Sequence, residues 1–355
     1  MSVIDRAGSV RRGEELDGAA VDTFLKSRIP DLSGTPDITQ FKGGVSNLTY
    51  QITYPERSVI LRRPPFGNRS GAAHDVLREA RVMAALRPVY PYVPGILAIQ
   101  ESPDVIGCPF YVMERFEGII PRRDLPAGLA LSPEDTRRLC LGVIDRLIEL
   151  HRVDYRAAGL ETLGRGAGYV RRQVEGWCGR YHNARTEDAA GFAGVMDWLL
   201  EKMPAGDAAT TIIHNDYRFD NVVLDPANPF RVIGVLDWEM ATLGDPLMDL
   251  ANGLAYWVQA DDDPEFLAAR RQPTHLPGML TRAEVVDYYA RQTGLSTARM
   301  DFYMVFGLFR LAVIVQQIYQ RHRQGHTANP EFASFGRIVS YLERRCLRQI
   351  GQSAL

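Results

Sequence analysis

The sequence is poor in lysine. Of 41 basic residues among 355, only Lys26, Lys42 and Lys202 are lysines, so a task that usually falls to an ammonium must pass to an arginine or go unfilled. An excess of either charge is also lacking: 41 Lys plus Arg stand against 43 Asp plus Glu, for a formal net charge of -2. With no basic block, general nucleic-acid binding is excluded, because it needs many phosphate-neutralising cations on one face. The four cysteines, Cys108, Cys140, Cys178 and Cys346, lie far apart, with no C-x-x-C and no histidine at metal-ligand spacing. That excludes a disulfide framework and a zinc site, and reduced thiols in a cytoplasmic protein are expected. The N-terminus lacks the apolar core of a signal peptide, and residues 1–15 are expected to form a mobile tail. Long hydrophobic runs are absent as well. The most apolar stretch, 302–315, is interrupted by Arg310 and falls short of the roughly 20 residues a membrane span requires, so it reads as a buried helix with no membrane partner.

What is present is an ordinary globular composition, 46% hydrophobic and 24% charged, long enough for two lobes sharing a cleft. Helical spacing over 16–29 ends at Pro30. Period-two alternation then predicts strands at 38–41, 48–54 and 58–62, followed by a helix at 72–86 and further strands at 96–101 and 110–116. From residue 132 the chain reads as mostly helical: Ser132-Pro133-Glu134-Asp135 opens a helix that runs to His151. Further helices are expected at 169–183, 191–203, 247–257, 281–292, 301–323 and 332–347. One β island, 211–237, interrupts them, with Val222-Val223-Leu224 and Val232-Ile233-Gly234-Val235-Leu236 joined by a Pro- and Asn-containing turn. The expected fold class is α+β: a β-rich lobe over 16–116 carrying one main helix, then a helical lobe over 117–355 with an inserted hairpin.

Polar residues gather around that hairpin. His214-Asn215-Asp216-Tyr217-Arg218-Phe219-Asp220-Asn221 precedes its first strand and Asp237-Trp238-Glu239 follows its second, so Asp216, Asn221 and Asp237 should converge at one mouth. Two carboxylates within about 4 Å repel by roughly 4 kcal/mol at an effective dielectric near 20, so such a mouth is expected to hold a cation. Asp and Asn oxygens suit a hard ion, Mg²⁺ above all. A carboxylate beside it can orient a hydroxyl and accept its proton. Asp220 and Glu239 read as solvated or bracing acids, and Asp261-Asp262-Asp263 as a loop between helices.

The spacing H-x-D-x-x-x-x-N, followed sixteen residues later by Asp237, resembles the catalytic loop and metal-binding aspartate of the protein-kinase-like fold. The wording HNDYRFDN and VLDWEMATLGDPLMDLA is similar to the aminoglycoside phosphotransferase family, in the branch that also occurs fused to acyl-CoA dehydrogenases. FKGGVSNLTYQI, VILRRPPFG and HDVLREARVMAAL extend the resemblance over about residues 38 to 325. It implies a two-lobed fold with Asp216 as catalytic base, and with Asn221 and Asp237 holding Mg²⁺ on the phosphates of ATP or GTP. The segment from Gly43 to Asn47, with Gly43, Gly44 and Ser46, would form the turn over those phosphates. Arg62, in place of the kinase lysine, would pair with Glu79, and Met113 and Arg115 would belong to the hinge against the base. His214 and Asp249 would brace the loop.

The position where kinases place the lysine of their third strand holds Arg62 here, a planar fork in place of a point charge. Strand alternation allows only one of Arg62 and Arg63 to face the cleft. The activity implied is transfer of the γ-phosphoryl group to a small-molecule hydroxyl. The branch resemblance points to a hydroxyacyl-CoA or related hydroxy acid, with an aminoglycoside or other amino-alcohol as the alternative acceptor. Arg122, Arg123, Arg171 and Arg172 are candidate contacts to an acidic acceptor. A degenerate kinase that binds nucleotide or acyl-CoA without turnover is the rival reading, and the oligomeric state is left open.

Overall fold

Alternating apolar residues between 37 and 114 form the sheet they predict. The computed structural model of the chain describes residues 4–41, 47–66, 75–327 and 329–355. In it β1 (Asp37–Gln40), β2 (Leu48–Thr53), β3 (Ser58–Arg63), β4 (Ile96–Gln100) and β5 (Phe110–Glu114) make one antiparallel sheet in the order β1-β2-β3-β5-β4. The central strand β3 is buried from Val59 to Arg63 because both faces are covered. Val59 and Leu61 join Tyr50, Phe110 and Val112 in a core with Val21, Phe24 and Leu25 of α1 (Gly18–Arg28). Ile60, Tyr111 and Met113 join the main core with α2 (Val76–Leu86). Residues 72–74, expected to begin α2, lie outside the described residues; within them Asp75 caps the helix by accepting from the Arg78 N–H at 2.9 Å.

The expectation of a mobile tail over 1–15 is corrected for residues 4–15, which lie against this lobe. Gly8 and Gln40 exchange two backbone hydrogen bonds of 2.9 and 2.8 Å. The Gln40 side chain donates to Glu14 and accepts from the Arg11 N–H, and the Tyr50 hydroxyl donates to the Glu14 carbonyl at 2.6 Å. The physical reason is the edge of β1, whose unpaired backbone groups attract a further segment.

The second lobe is built from α3 (Pro133–His151), α4 (Tyr169–Ala184), α5 (Ala193–Glu201), α6 (Pro246–Leu254), α7 (Pro264–Ala268), α8 (Arg282–Thr293), α9 (Met300–Arg323) and α10 (Phe335–Gln352). The short α7 was not expected, since one turn and a half shows no period; Asp263 caps it. By length and composition α9 could cross a membrane, yet 72% of its apolar window is buried inside the protein. It packs against α4, α6 and α10. All four cysteines are buried and free.

β7 (Val222–Leu224) and β8 (Val232–Val235) form the expected hairpin. A second pair was not expected: β6 (Thr211–Ile213) with β9 (Thr242–Gly244), strands of three residues that are too short to alternate visibly. The consequence is geometric. The loop 214–221 runs from β6 to β7 and the loop 236–241 from β8 to β9, so paired strands hold both loops side by side at both ends. The linker from the first lobe joins them there, with Ile119 bridging Leu224 through backbone bonds of 2.9 and 2.8 Å.

Candidate active site

The loop 214–221 is fixed from beneath. Asp249 of α6, fully buried, accepts the backbone N–H groups of His214 at 2.8 Å and Asn215 at 2.7 Å. Burial would raise this carboxyl, but a hydrogen bond from His151 and the nearby imidazoles hold it below the ordinary aspartate range. His151 Nε2 lies 3.0 Å from Asp249 and its Nδ1 lies 2.7 Å from the Tyr289 hydroxyl, so this histidine is a buried strut beneath the loop. His214 Nε2 contacts the Leu236 carbonyl at 3.0 Å. Because a carbonyl only accepts, that nitrogen carries the proton, and Nδ1 accepts the Asp216 N–H at 3.3 Å. His214 and Asp249 therefore brace the loop, as the resemblance implied. Asn215 sits at φ 65°, and its carbonyl accepts from buried Arg310 at 3.1 Å. The arginine that interrupts the apolar helix thus serves the loop, while its guanidinium lies 5.3 Å from the Trp177 ring.

At the hairpin mouth, Asn221 donates through Nδ2 to the Asp216 carboxylate at 3.1 Å and to its carbonyl at 2.9 Å. The Asn221 Oδ1 is thereby turned away from Asp216. The other Asp216 oxygen faces Arg218 at 3.3 Å, and Arg218 also pairs with Asp220 at 3.2 Å and stacks on Tyr256 at 4.7 Å. Burial pushes the Asp220 carboxyl up. The Asn221 carbonyl accepts the Leu236 N–H at 2.8 Å, which brings Asp237 alongside. Asp237 adopts φ 68° and ψ 61°, a left-handed conformation uncommon for non-glycine residues and most often taken by Asn and Asp.

Across the cleft, Arg62 meets three carboxylates: Glu79 at 3.3 Å, Asp237 at 2.6 Å and Glu239 at 3.0 Å. Alternation decides between the neighbouring arginines, since Arg63 points to the opposite face and its guanidinium lies 3.9 Å from the Phe66 ring. One cation shared three ways leaves an excess of negative charge. Burial, together with Asp237 and Glu239, outweighs Arg62 and raises Glu79 to about 7. For Asp237 burial acts upward too, but the charge and hydrogen bond of Arg62 win and lower it. Glu239 also accepts from Asn47 at 2.9 Å, and Arg78 donates to the carbonyls of Glu239 at 3.3 Å and Ala241 at 2.5 Å. Glu239 is thus a bracing acid. Spacing could have singled it out at two residues past Asp237; Asn47 ends the segment the resemblance made the turn over the phosphates, whereas nothing in the sequence marked Arg78.

Arg62, Glu79, Asn221 and Asp237 line an inter-lobe cleft of about 1030 Å³, part of it open to solvent, with Ile60, Tyr111, Met113, Arg115 and Leu236 among its walls, and Glu239 reaches it through Arg62. Glu114 turns away to Arg87 and the Gly95 N–H, and Arg115 pairs with Glu117. Gly43, Gly44 and Ser46 lie outside the described residues. Of the four arginines expected near an acidic acceptor, only Arg122 lines the cleft, paired with Asp5 at 3.1 Å. Arg123 faces Asp124, Arg171 faces Glu175, and Arg172 caps backbone carbonyls. Among the described residues no group of three or more His, Cys, Asp or Glu side chains is arranged to hold a metal ion.

A small antiparallel lobe set over a helical one, with its acids on two clamped loops and its arginine on the third strand, defines the class: a kinase-type phosphotransferase acting on small molecules. The chain belongs to the phosphotransferase enzyme family that includes the aminoglycoside phosphotransferases, whose family model matches residues 37–285. It is 32% identical over 333 residues to acyl-CoA dehydrogenase family member 10 of Mus musculus, covering 93% of this chain and 31% of that protein. To family member 11 of Homo sapiens it is 30% identical over 334 residues, covering 92% and 42%. The chain therefore spans less than half the length of these curated relatives. Among solved structures, a Ralstonia eutropha protein provisionally described as an aminoglycoside phosphotransferase is 28% identical with a TM-score of 0.80, covering 96% of this chain and all of that one. A thermostable aminoglycoside phosphotransferase APH(4)-Ia in ternary complex with AMP-PNP and hygromycin B shares the fold at 17% identity and a TM-score of 0.58, covering 94% and 99%.

Proposed function

We propose that this chain, acting in the cytoplasm, transfers the γ-phosphoryl group of ATP or GTP, with Mg²⁺, to the hydroxyl of a hydroxyacyl-CoA or related hydroxy acid. The observation that carries this reading is the convergence of Asp216, Asn221 and Asp237 at one mouth, opposite Arg62. Asp216 accepts the acceptor's hydroxyl proton as the new O–P bond forms and the nucleoside diphosphate leaves. Asn221 holds Asp216 in place, and Arg218 orients that carboxylate. Arg62, backed by Glu79, faces the phosphates. Ile60, Met113 and Leu236 offer apolar walls for the base, beside the hinge at Met113 and Arg115. The donor set fits Mg²⁺: Asn221 uses its N–H on Asp216 and turns its oxygen elsewhere, and Asp237 is the most exposed of the carboxylates around Arg62. Two protein oxygens with no full cage match an ion that completes its shell with phosphates and water. When bound, Mg²⁺ neutralises phosphate charge.

The acyl-CoA acceptor is supported by the relatives that carry an acyl-CoA dehydrogenase name and by Arg122 at the rim of the cleft. The direct test is Mg²⁺-dependent nucleoside diphosphate release with a panel of hydroxyacyl-CoAs, sugars and aminoglycosides. Turnover is expected with a hydroxyacyl-CoA, and Asp216→Asn should lower it by about 10² to 10⁴, the range for loss of a positioned base. Equal rates in wild type and variant would remove Asp216 from its role. Turnover of an aminoglycoside alone would reassign the acceptor, and nucleotide binding with no turnover on any acceptor would favour the non-catalytic reading.

A further inference from the structure

The three carboxylates around Arg62 differ in how firmly they are held. Glu79 lies deepest, with 1% of its side chain accessible, and faces Arg62 from α2. Asp237 is 32% accessible, at the hairpin mouth. Glu239, on the helical lobe, is 11% accessible and tied to three residues of the first lobe: its carboxylate accepts from Asn47 and Arg62, and its carbonyl accepts from Arg78. Asp237 is the group free to turn toward a cation, whereas Glu239 stays where it is. Before any cation arrives, the Arg62 fork is engaged by Asp237 and Glu239 together, and among the described residues around it the carboxylates outnumber the guanidinium.

We propose that Glu239 is a specificity-determining residue: its fixed carboxylate occupies Arg62 and repels bare polyphosphate, so the cleft accepts nucleotide only as the divalent-cation complex. A nucleotide without a cation brings several negative charges to a site already holding three carboxylates against one guanidinium. A cation that draws off Asp237 releases one Arg62 contact and offsets that charge in the same step. Glu79 is displaced upward first by burial, with Asp237 and Glu239 adding to it against Arg62. Glu239 thereby works through electrostatics and through Arg62, without being required to touch the transferred group. This inference rests on the phosphotransfer reading of the cleft.

The test is direct binding of AMP-PNP to the full chain by calorimetry, with Mg²⁺ or with EDTA, for wild type, Glu239→Gln and Glu239→Asp. Wild type is expected to prefer the Mg²⁺ complex by about 100-fold, and Glu239→Gln to cut that preference to about tenfold through tighter metal-free binding, since specificity is a difference of two affinities. Glu239→Asp keeps the charge and should keep most of the preference. Melting temperatures establish that each variant is folded; if Glu239→Gln is not, Asn47→Ala, which unties the carboxylate, is expected to lower the preference about threefold. An unchanged preference in Glu239→Gln, or equal loss in the Asp and Gln variants, overturns the proposal. Wild type binding both forms alike overturns it while leaving phosphotransfer intact. Wild type binding neither form overturns the nucleotide reading of the cleft as well.

Discussion

At the scale of single residues, Arg62 answers the shortage of lysine. A guanidinium presents several donors in one plane, and here it faces Glu79 through one edge while meeting Asp237 and Glu239 through another. The cluster has a measurable pH signature. Glu79 is raised from 4.5 to about 7, so between those values the folded chain keeps a proton that the unfolded chain has released. Its contribution to stability is fully present below 4.5 and is lost as the pH rises through about 7. Asp237, lowered, acts in the opposite sense: its contribution is present above the ordinary aspartate value and is lost as the pH falls through its folded one. Thermal melts are expected to show stability declining from pH 5 toward neutrality, and Glu79→Gln, neutral throughout, should flatten that decline; an equal slope in the variant would assign the titration to another group. Spacing brought Asp216, Asn221 and Asp237 to one mouth, and the family resemblance pointed to Arg62. Neither gave a sign that Glu239 would accept from Asn47, because 192 residues separate them.

At the scale of elements, the site depends on two clamped loops and on the linker that touches them. Gly118 shows how tight that junction is: a Cβ there would lie 2.3 Å from the Leu224 carbonyl oxygen and 2.5 Å from a Val223 methyl. The neighbouring Ile119 bridge holds the linker to β7, so there is little room to yield. Gly118→Ala is expected to destabilise the protein by about 1 to 3 kcal/mol, as overpacking does, and to weaken nucleotide binding by moving the hinge off the hairpin. Denaturant unfolding with a parallel binding isotherm checks both, and unchanged values would show that the linker can shift freely. The hairpin was legible from its two apolar runs and turn. The β6 and β9 pair was not, because three residues on each side carry no period and their partnership is made only when the two loops are brought together.

At the scale of the whole molecule, the N-terminal segment is part of the first lobe and reaches the cleft. Gly8 extends the sheet edge, Glu14 satisfies Tyr50 and Gln40, and Asp5 lies at the cleft rim on Arg122. Deleting residues 1–15 is expected to lower the melting temperature, since those polar groups lose their partners, and to speed nucleotide release by opening one wall. Differential scanning calorimetry and stopped-flow dissociation measure the two effects; a deletion with unchanged melting and release would show that the segment adds nothing to the lobe. Polar composition made these residues read as a tail. Their attachment depends on the edge of β1, which exists only once the sheet has formed.

By itself, the sequence determined the order of strands and helices, the hairpin, and the residue types at its mouth, because alternation, capping and turn chemistry act over a few residues. The tertiary structure decided which arginine faces the cleft, how three carboxylates from distant segments share it, where His151 and Arg310 spend their hydrogen bonds, and what residues 4–15 pack against. Those outcomes are contacts between segments far apart in the chain, and burial sets their electrostatics. The lysine shortage belongs to both: composition announced it, and only folding placed Arg62 among Glu79, Asp237 and Glu239.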